Sequence, residues 1–197
     1  MPVDKKYAND VAITDEYEAL SILQKQWGDR TVRRLLARRN DEPHIEVAFY
    51  GSGYTREEYS SSEYYRVAPE LVERLRRSAF VAGTPHWGYT DERDLRITES
   101  GSREYWRRRR QLEAEAARRI LDLIAAWNGA ADDFRRILTC ALGAAGGGSD
   151  LRHRLLRDGD LTSPAIDSWV AGTGDPSREG QTKVLELLRD HFTALLP

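Results

Sequence analysis

The chain has 197 residues, 40% of them hydrophobic and 31% charged, with a formal net charge of -2 and a pI of about 6.1. This length and composition allow one domain of ordinary size or two small ones, each with its own core. The slightly acidic balance argues against a dedicated nucleic-acid binder, because such proteins are often basic overall.

Several classes of site and location are excluded by residue type. Cys140 is the single cysteine, so one chain can form neither a disulfide nor a cysteine-based metal site. The histidines have no metal-ligand spacing, and we expect no metal, no cofactor and no catalytic residue. No apolar run approaches the roughly 18 residues that span a bilayer. The N-terminus, MPVDKKYAND, lacks the apolar segment of a signal peptide. We therefore expect a cytoplasmic protein without a membrane partner.

The N-terminal quarter predicts two helices and a strand. Apolar residues recur at helical spacing over 15–27, and Gly28 ends this helix. Residues 30–39 (RTVRRLLARR) predict a second helix with its arginines outward. The alternation in HIEVAFY, 44–50, predicts a short strand, and the polar stretch 51–65 predicts a loop.

The middle of the chain predicts a helix, a hairpin and a long helix. Pro69 suits the first turn of a helix that ends near Ser78. A strand then begins at 80–81, GTPHWGY (83–89) forms a turn, and a returning strand contains 95–97. Thr98 opens a helix that continues to about residue 127.

The C-terminal region predicts four further helices. They cover 132–142, 149–157, 164–171 and 178–196, and the glycine-rich GAAGGG (143–148) separates the first two. We place a domain boundary near 128–131, which gives an N-terminal domain of 1–128 and a C-terminal domain of 129–197.

The order helix, strand, turn, strand, helix over 71–106 resembles the winged-helix family. ELVERLRRSAFV leads into a hairpin tip rich in Gly, Pro and Trp, and LRITESGSREYW matches the Leu-x-x-Thr-x-x-Gly phrase that ends such modules, with Leu95, Thr98 and Gly101 in its positions. The resemblance implies a recognition helix and a wing that contact DNA. The implied DNA-contacting residues are Arg66, Arg74, Arg76 and Arg77 near the helix and His86, Trp87, Arg93 and Arg96 on the wing. The alternative is that these arginines form a solvated face among interleaved acids, and many winged helices contact proteins instead.

Residues 150–188 resemble the phage-repressor (Cro-type) helix-turn-helix family. The matching positions are Leu151, Leu155, Ile166, Trp169, Gly172, Pro176, Val184, Leu187 and Leu188. Spacing places Ile166 and Trp169 on one inward face, and Gly172 suits a left-handed C-cap. These are folding reasons, so the motif predicts the fold more directly than the function.

The resemblance also implies which residues contact DNA. They are Thr162, Ser163, Pro164, Asp167, Ser168 and Thr173 on or near the recognition helix, with Arg152, Arg178 and Lys183 as phosphate contacts. None of the first six is Arg, Gln or Asn, the usual strong base readers. Asp167 would repel phosphate unless it accepts a hydrogen bond from a cytosine amine, and RDGDLTS is longer than the family's usual turn.

The long helix carries two further features. Arg107–Arg110 is a run of four arginines that spreads around the helix, where it either binds phosphate or forms ion pairs. One side of the helix, with Leu112, Ala116, Ile120 and Leu123, could pair with a second chain to form a homodimer.

These patterns together predict a mostly α fold with a small β-hairpin, in which a long helix joins a winged helix to a C-terminal helix-turn-helix bundle. The predicted function is a DNA-binding transcriptional regulator or repressor. The alternative is a protein-interaction adaptor that keeps both folds without DNA binding, and no enzyme is expected.

Overall fold

A computed structural model describes residues 7–24, 31–37, 42–50, 59–86 and 89–197 of the chain. The chain packs into two compact units, Met1–Arg108 and Arg109–Pro197. The division falls within the long helix, before the predicted boundary near 128–131. Ala117, Ile120 and Ile124 explain its place, because they are buried in the core of the second unit.

A five-stranded antiparallel sheet forms the centre of the first unit. Its elements in chain order are α1 (Glu16–Gln24), β1 (Thr31–Leu36), β2 (His44–Tyr50), β3 (Tyr59–Arg66), α2 (Pro69–Arg77), β4 (Val81–His86), β5 (Tyr89–Ile97) and the beginning of α3 (Glu99–Ala125). The strand order is β3-β2-β1-β5-β4. The fold is therefore mixed α/β. The predicted hairpin is present as β4 and β5, but it belongs to a five-stranded sheet, so the expected mostly α fold with a small hairpin is only roughly consistent with the structure.

The helix predicted over 30–39 is also wrong, because its described part contains strand β1. In the register of the sheet, Leu35 lies opposite Ile45 on β2 and Leu95 on β5. These three side chains are fully buried against Leu20 of α1 and Leu75 of α2. β2 pairs with the whole of β1 and β5 with its last two residues, and this pairing overrides the local helical spacing.

The predicted loop over 51–65 is wrong in its described part as well. Residues 59–65 belong to β3, which pairs along β2. The rest of that prediction lies outside the described residues. By contrast, the strand over 44–50 is confirmed as β2, and α1 confirms the described part of the first predicted helix.

The succession α2, β4, β5, α3 matches the elements predicted for the middle segment. Each residue of its Leu-Thr-Gly phrase has a packing role. Leu95 is fully buried, and the Thr98 side-chain oxygen accepts a hydrogen bond from the Gly101 N–H at 3.1 Å. Gly101 lies against the Phe80 carbonyl, where a Cβ would clash. However, β3 directly precedes α2, and the hairpin continues a larger sheet, so the winged helix stays a prediction.

The second unit is helical. The C-terminal part of α3 is followed by α4 (Ala131–Gly143), α5 (Gly148–Asp158), α6 (Ser163–Ala171) and α7 (Arg178–Thr193), which confirms the four predicted helices. Its core is apolar and includes Phe134, Leu138, Ile166 and Phe192, each at most 1% exposed. Such a core positions α5 and α6 rigidly, and the strongest candidate interface lies on these two helices.

Candidate nucleic-acid interface

A short, ordered connector joins α5 to α6. Leu151 and Leu155 on α5 and Ile166 on α6 are all fully buried, so both helices are anchored in the same core. The chain turns between them at Asp160, whose φ of 54° lies in the left-handed region. Few non-glycine residues adopt this conformation, and aspartate is among those that tolerate it best. The connector between the two helices comprises residues 159–162.

Helix α6 has well-defined ends. The Thr162 hydroxyl accepts a hydrogen bond from the Ala165 N–H at 3.4 Å. At the other end Gly172 has φ 72°, and the Thr173 N–H donates to the Ser168 carbonyl at 2.9 Å, as in a Schellman motif. Trp169 contacts Phe134 edge-on, with ring centroids 6.3 Å apart. The predicted inward face and left-handed cap are therefore confirmed.

The opposite side of α6 is polar and reachable by a partner. Thr162, Pro164 and Asp167 are exposed, and Ser163 is half-buried. Because residues three and four apart share a helix face, 163, 164 and 167 form one row, which we call the α6 edge.

Two other predicted contacts have their hydroxyl hydrogens engaged within the unit. The Ser168 hydroxyl donates to the Ala165 carbonyl at 2.8 Å, and the Thr173 hydroxyl donates to the Ser168 carbonyl at 3.3 Å. In this arrangement each hydroxyl can offer a ligand only its acceptor lone pairs.

An ion pair that sequence reasoning missed neutralises part of the α6 edge. A terminal nitrogen of Arg152 on α5 donates to Asp167 Oδ1 at 2.7 Å. The repulsion of phosphate expected from Asp167 is therefore offset by an adjacent cation. The two residues are 15 apart in the chain and lie on different helices, so no local pattern could have indicated this pair.

The predicted phosphate contacts of α7 lie in its first turns. Arg178 and Lys183 are both exposed, and Ser177 caps the helix by accepting from the Gly180 N–H at 3.2 Å. A further cation, Arg135, lies against Gly172 and pairs with Asp175 at 3.3 Å. Arg135 was not among the phosphate contacts predicted from the sequence, and its pairing with acids disfavours such a contact.

The predicted contacts of the first unit separate into two groups. Arg66 stacks on Tyr7, with its guanidinium 4.4 Å from the ring centroid, and pairs with Glu42 at 3.3 Å. Arg74 donates to the Thr14 carbonyl at 2.7 Å and pairs with Glu16 at 3.5 Å. The structure thus uses both arginines to connect elements of the unit.

The other predicted DNA contacts of this unit fall into three groups: exposed arginines, one paired arginine, and residues outside the described part. Arg77, Arg93 and Arg96 are exposed on α2 and β5. Arg76 pairs with Glu73 at 3.2 Å and also donates to the Glu92 carbonyl. Trp87 and the side chain of His86 lie outside the described residues, so the wing tip keeps only its sequence-based prediction.

Sequence reasoning also missed a buried polar network on the sheet. Arg34 of β1 pairs with Glu46 of β2 at 2.6 Å and with Asp94 of β5 at 3.2 Å, and the Thr84 hydroxyl donates to the Asp94 carbonyl at 2.7 Å. Both acids are 7% exposed. Glu46 within the apolar run HIEVAFY was the available signal. Because these charges satisfy one another, the network is a structural connection between strands.

Among the described residues, no group of His, Cys, Asp or Glu could hold a metal ion.

The arginine run of α3 forms ion pairs. Arg107 and Arg108 both donate to Glu104, at 2.7 and 2.6 Å, and Arg108 also bonds Glu16 at 2.8 Å. Hydrogen bonds from Arg107 and then Arg108 lower the pKa of Glu104 from 4.5 to about 2. Arg109 pairs with Glu113 at 2.8 Å within the second unit. Of the two alternatives for this run, these contacts favour ion pairs.

An open apolar groove lies between the C-terminal part of α3 and α4. Its volume is about 960 Å³. The groove is lined mainly by apolar and small residues, with charges at its margin: Leu112, Ala116, Ile120, Leu123, Cys140, Gly143, Ala144, Glu115, Arg119 and Arg136. Leu112 is 40% exposed. The apolar side of α3 predicted to form a dimer therefore lines a groove.

Comparison with known proteins found no match to a family model, to a curated protein or to a solved structure. Within the described ranges, no helix is both long and apolar enough to cross a membrane.

Proposed function

We propose that the protein binds double-stranded DNA through α5 and α6 and acts as a transcriptional regulator. The observation that carries this proposal is the α6 edge, a polar row on a helix whose other face is anchored by Ile166 and Trp169. A helix that is anchored in a core on one side can present its other side to the major groove.

The proposed contacts divide by chemistry. Thr162, Ser163 and Pro164 lie at the N-terminus of α6, where the helix dipole favours a phosphate or the acceptor-rich edge of a base. Ser168 and Thr173 would act as acceptors at the other end. Arg178 and Lys183 supply backbone affinity, which depends on salt rather than on sequence.

The first unit would add a second, weaker contact surface. Arg77, Arg93 and Arg96 are its exposed candidates for phosphate contacts, and Trp87 is proposed from its place at the hairpin tip. Arg66 and Arg74 act mainly within the unit, so their removal should reduce stability more than DNA affinity.

We further propose that the chain forms a homodimer through the helix over 98–127. The groove beside Leu112 and Leu123 supports this, because its apolar lining is better covered than exposed to water. Glu115 and Arg119 lie one turn apart on the helix. In an antiparallel pair of these helices, Glu115 of each chain would therefore lie opposite Arg119 of the other. A two-fold dimer would present two α6 edges to two DNA half-sites.

A charge-reversal variant tests DNA binding. Ser163→Glu places an acid on the α6 edge, and Thr193→Glu adds the same charge at the far end of α7. We expect S163E to weaken binding to a fluorescent random duplex by about tenfold or more, and T193E to change it little. Equal effects of the two variants would contradict a binding surface on α6.

One observation favours the adaptor as a second candidate. Most arginines discussed above are already paired with acids, as Arg107, Arg108, Arg109 and Arg152 show. Such a surface suits a protein partner of mixed charge. Two results together would favour the adaptor. The wild-type protein would fail to bind duplex DNA at low salt, and it would bind a protein partner that the S163E variant does not bind.

A further inference from the structure

One cation lies beside the α6 edge although it belongs to α5. Asp167 follows Ser163 by four residues and Pro164 by three, so the three share a face of α6. The bond from Arg152 to Asp167 Oδ1 brings the guanidinium to this face. Arg152 is 35% exposed and Asp167 is 62% exposed, so a partner can reach the pair.

We propose that Arg152 recognises a guanine in the major groove and that Asp167 holds its guanidinium in the required orientation. The inference rests on the proposed DNA binding and names the base that this surface selects. A guanidinium has five N–H donors in a planar fork, and Asp167 engages only one of its nitrogens. Guanine presents two acceptors, O6 and N7, whose spacing matches that fork.

The amino acids of α6 itself explain why a residue from α5 is needed. Its exposed row offers the hydroxyl of Ser163, the ring of Pro164 and the acid of Asp167, and Ser168 has already donated its hydrogen. None of these can form a two-donor contact with a base. Arg152 therefore supplies the strong base contact that the sequence of the recognition helix lacks.

Asp167 also decides which acceptor the guanidinium meets. A guanidinium binds phosphate as readily as guanine, because both offer paired oxygen or nitrogen acceptors. The carboxylate 2.7 Å away cancels the net charge with which the guanidinium would attract a phosphate, whereas hydrogen bonds to the neutral guanine edge depend less on that charge. The same bond restricts the rotamers of Arg152 before DNA binds, which lowers the entropic cost of the contact.

The experiment is selection of binding sites from a library of random duplexes, with wild type, Arg152→Met, Asp167→Ala and Arg178→Ala. R152M removes every donor of the side chain, whereas a lysine could still donate to guanine O6 and N7, and R178A is the control for a phosphate contact. We expect wild type to enrich a G·C pair at one position of each half-site. R152M and D167A should lose that preference, with about a tenfold weaker preference for the selected site over random duplex. R178A should weaken all duplexes similarly and keep the preference.

A chemical substitution in the DNA gives a second readout. Replacing the selected guanine by 7-deazaguanine removes N7 and keeps base pairing, so it should weaken the binding of wild type and leave that of R152M unchanged. If R152M keeps the selected sequence, or if it weakens every duplex equally, guanine recognition by Arg152 is wrong while DNA binding stands. If wild type binds no duplex in a salt-dependent manner, the proposed function is wrong and this inference with it.

Discussion

The two units of the chain differ in what they bury. The first unit places Arg34, Glu46 and Asp94 between its strands, and these residues come from positions 12 and 60 apart in the sequence. The buried core of the second unit is almost wholly apolar, and its polar residues lie on the surface, including the α6 edge. Both units have an apolar core, and the first unit adds to its core a charge pairing that joins neighbouring strands.

The largest effect should come from removing a ring of the apolar core. Phe134 is 1% exposed and contacts Trp169 on α6. Phe134→Ala should lower the free energy of unfolding by about 3–5 kcal/mol, because it loses burial and leaves a cavity. Chemical denaturation followed by Trp fluorescence measures this change. A loss below about 1 kcal/mol would mean that the second unit is not held by this core.

Removing one charge of the buried network should lower the stability of the protein more than removing all three charges. Arg34→Leu leaves Glu46 and Asp94 buried without their cation and should cost about 3 kcal/mol. Replacing all three by apolar residues of similar size should recover most of that loss, because no charge then remains unpaired. If the triple variant is as unstable as R34L, the network is not the connection between strands that its geometry indicates.

This contrast also explains which parts of the structure the sequence predicted. The helices of the second unit were predicted from local signals such as the Ile166–Trp169 spacing and the glycine at 172. Strand β1 was missed because Val32, Leu35 and Leu36 also fit a helix, and only pairing with β2 and β5 decides between the two. Strand β3 was missed because YSSSEYYR is polar and lacks an apolar alternation, although it pairs with β2, the strand that precedes it in the chain.

The candidate site shows the same limit. The residues of the α6 edge were named individually, because the resemblance to the phage-repressor family implies them. The Arg152–Asp167 pair was not, because it joins two helices across a turn whose geometry depends on Asp160.

Acid should affect the first unit through Glu104. Its pKa is lowered to about 2, so its stabilising contribution is fully present above the unfolded value near 4.5 and is lost as the pH falls towards 2. Glu104→Gln should cost about 1 kcal/mol at pH 7, a modest figure because Arg107 is largely exposed to solvent. The variant should also lose less stability than wild type between pH 5 and pH 2. Parallel denaturation curves for the two proteins over that interval would contradict the role given to this carboxylate.

The smallest effect expected is that of one phosphate contact. Lys183→Ala on the exposed side of α7 should weaken duplex binding about threefold and reduce the slope of log affinity against log salt by about one. Arg93→Ala, on β5 of the first unit, is the matched comparison. If R93A has the larger effect, the sheet-containing unit and not the helical one would be the main DNA-binding surface.

The most direct test of the account is the fluorescence anisotropy of wild-type protein with a random 30-base-pair duplex at two salt concentrations. The account predicts micromolar affinity at low salt and a steep fall as salt rises, because phosphate contacts release counterions. Absence of binding at low salt would contradict it. The helix pair α5–α6 would then serve a protein partner instead of DNA.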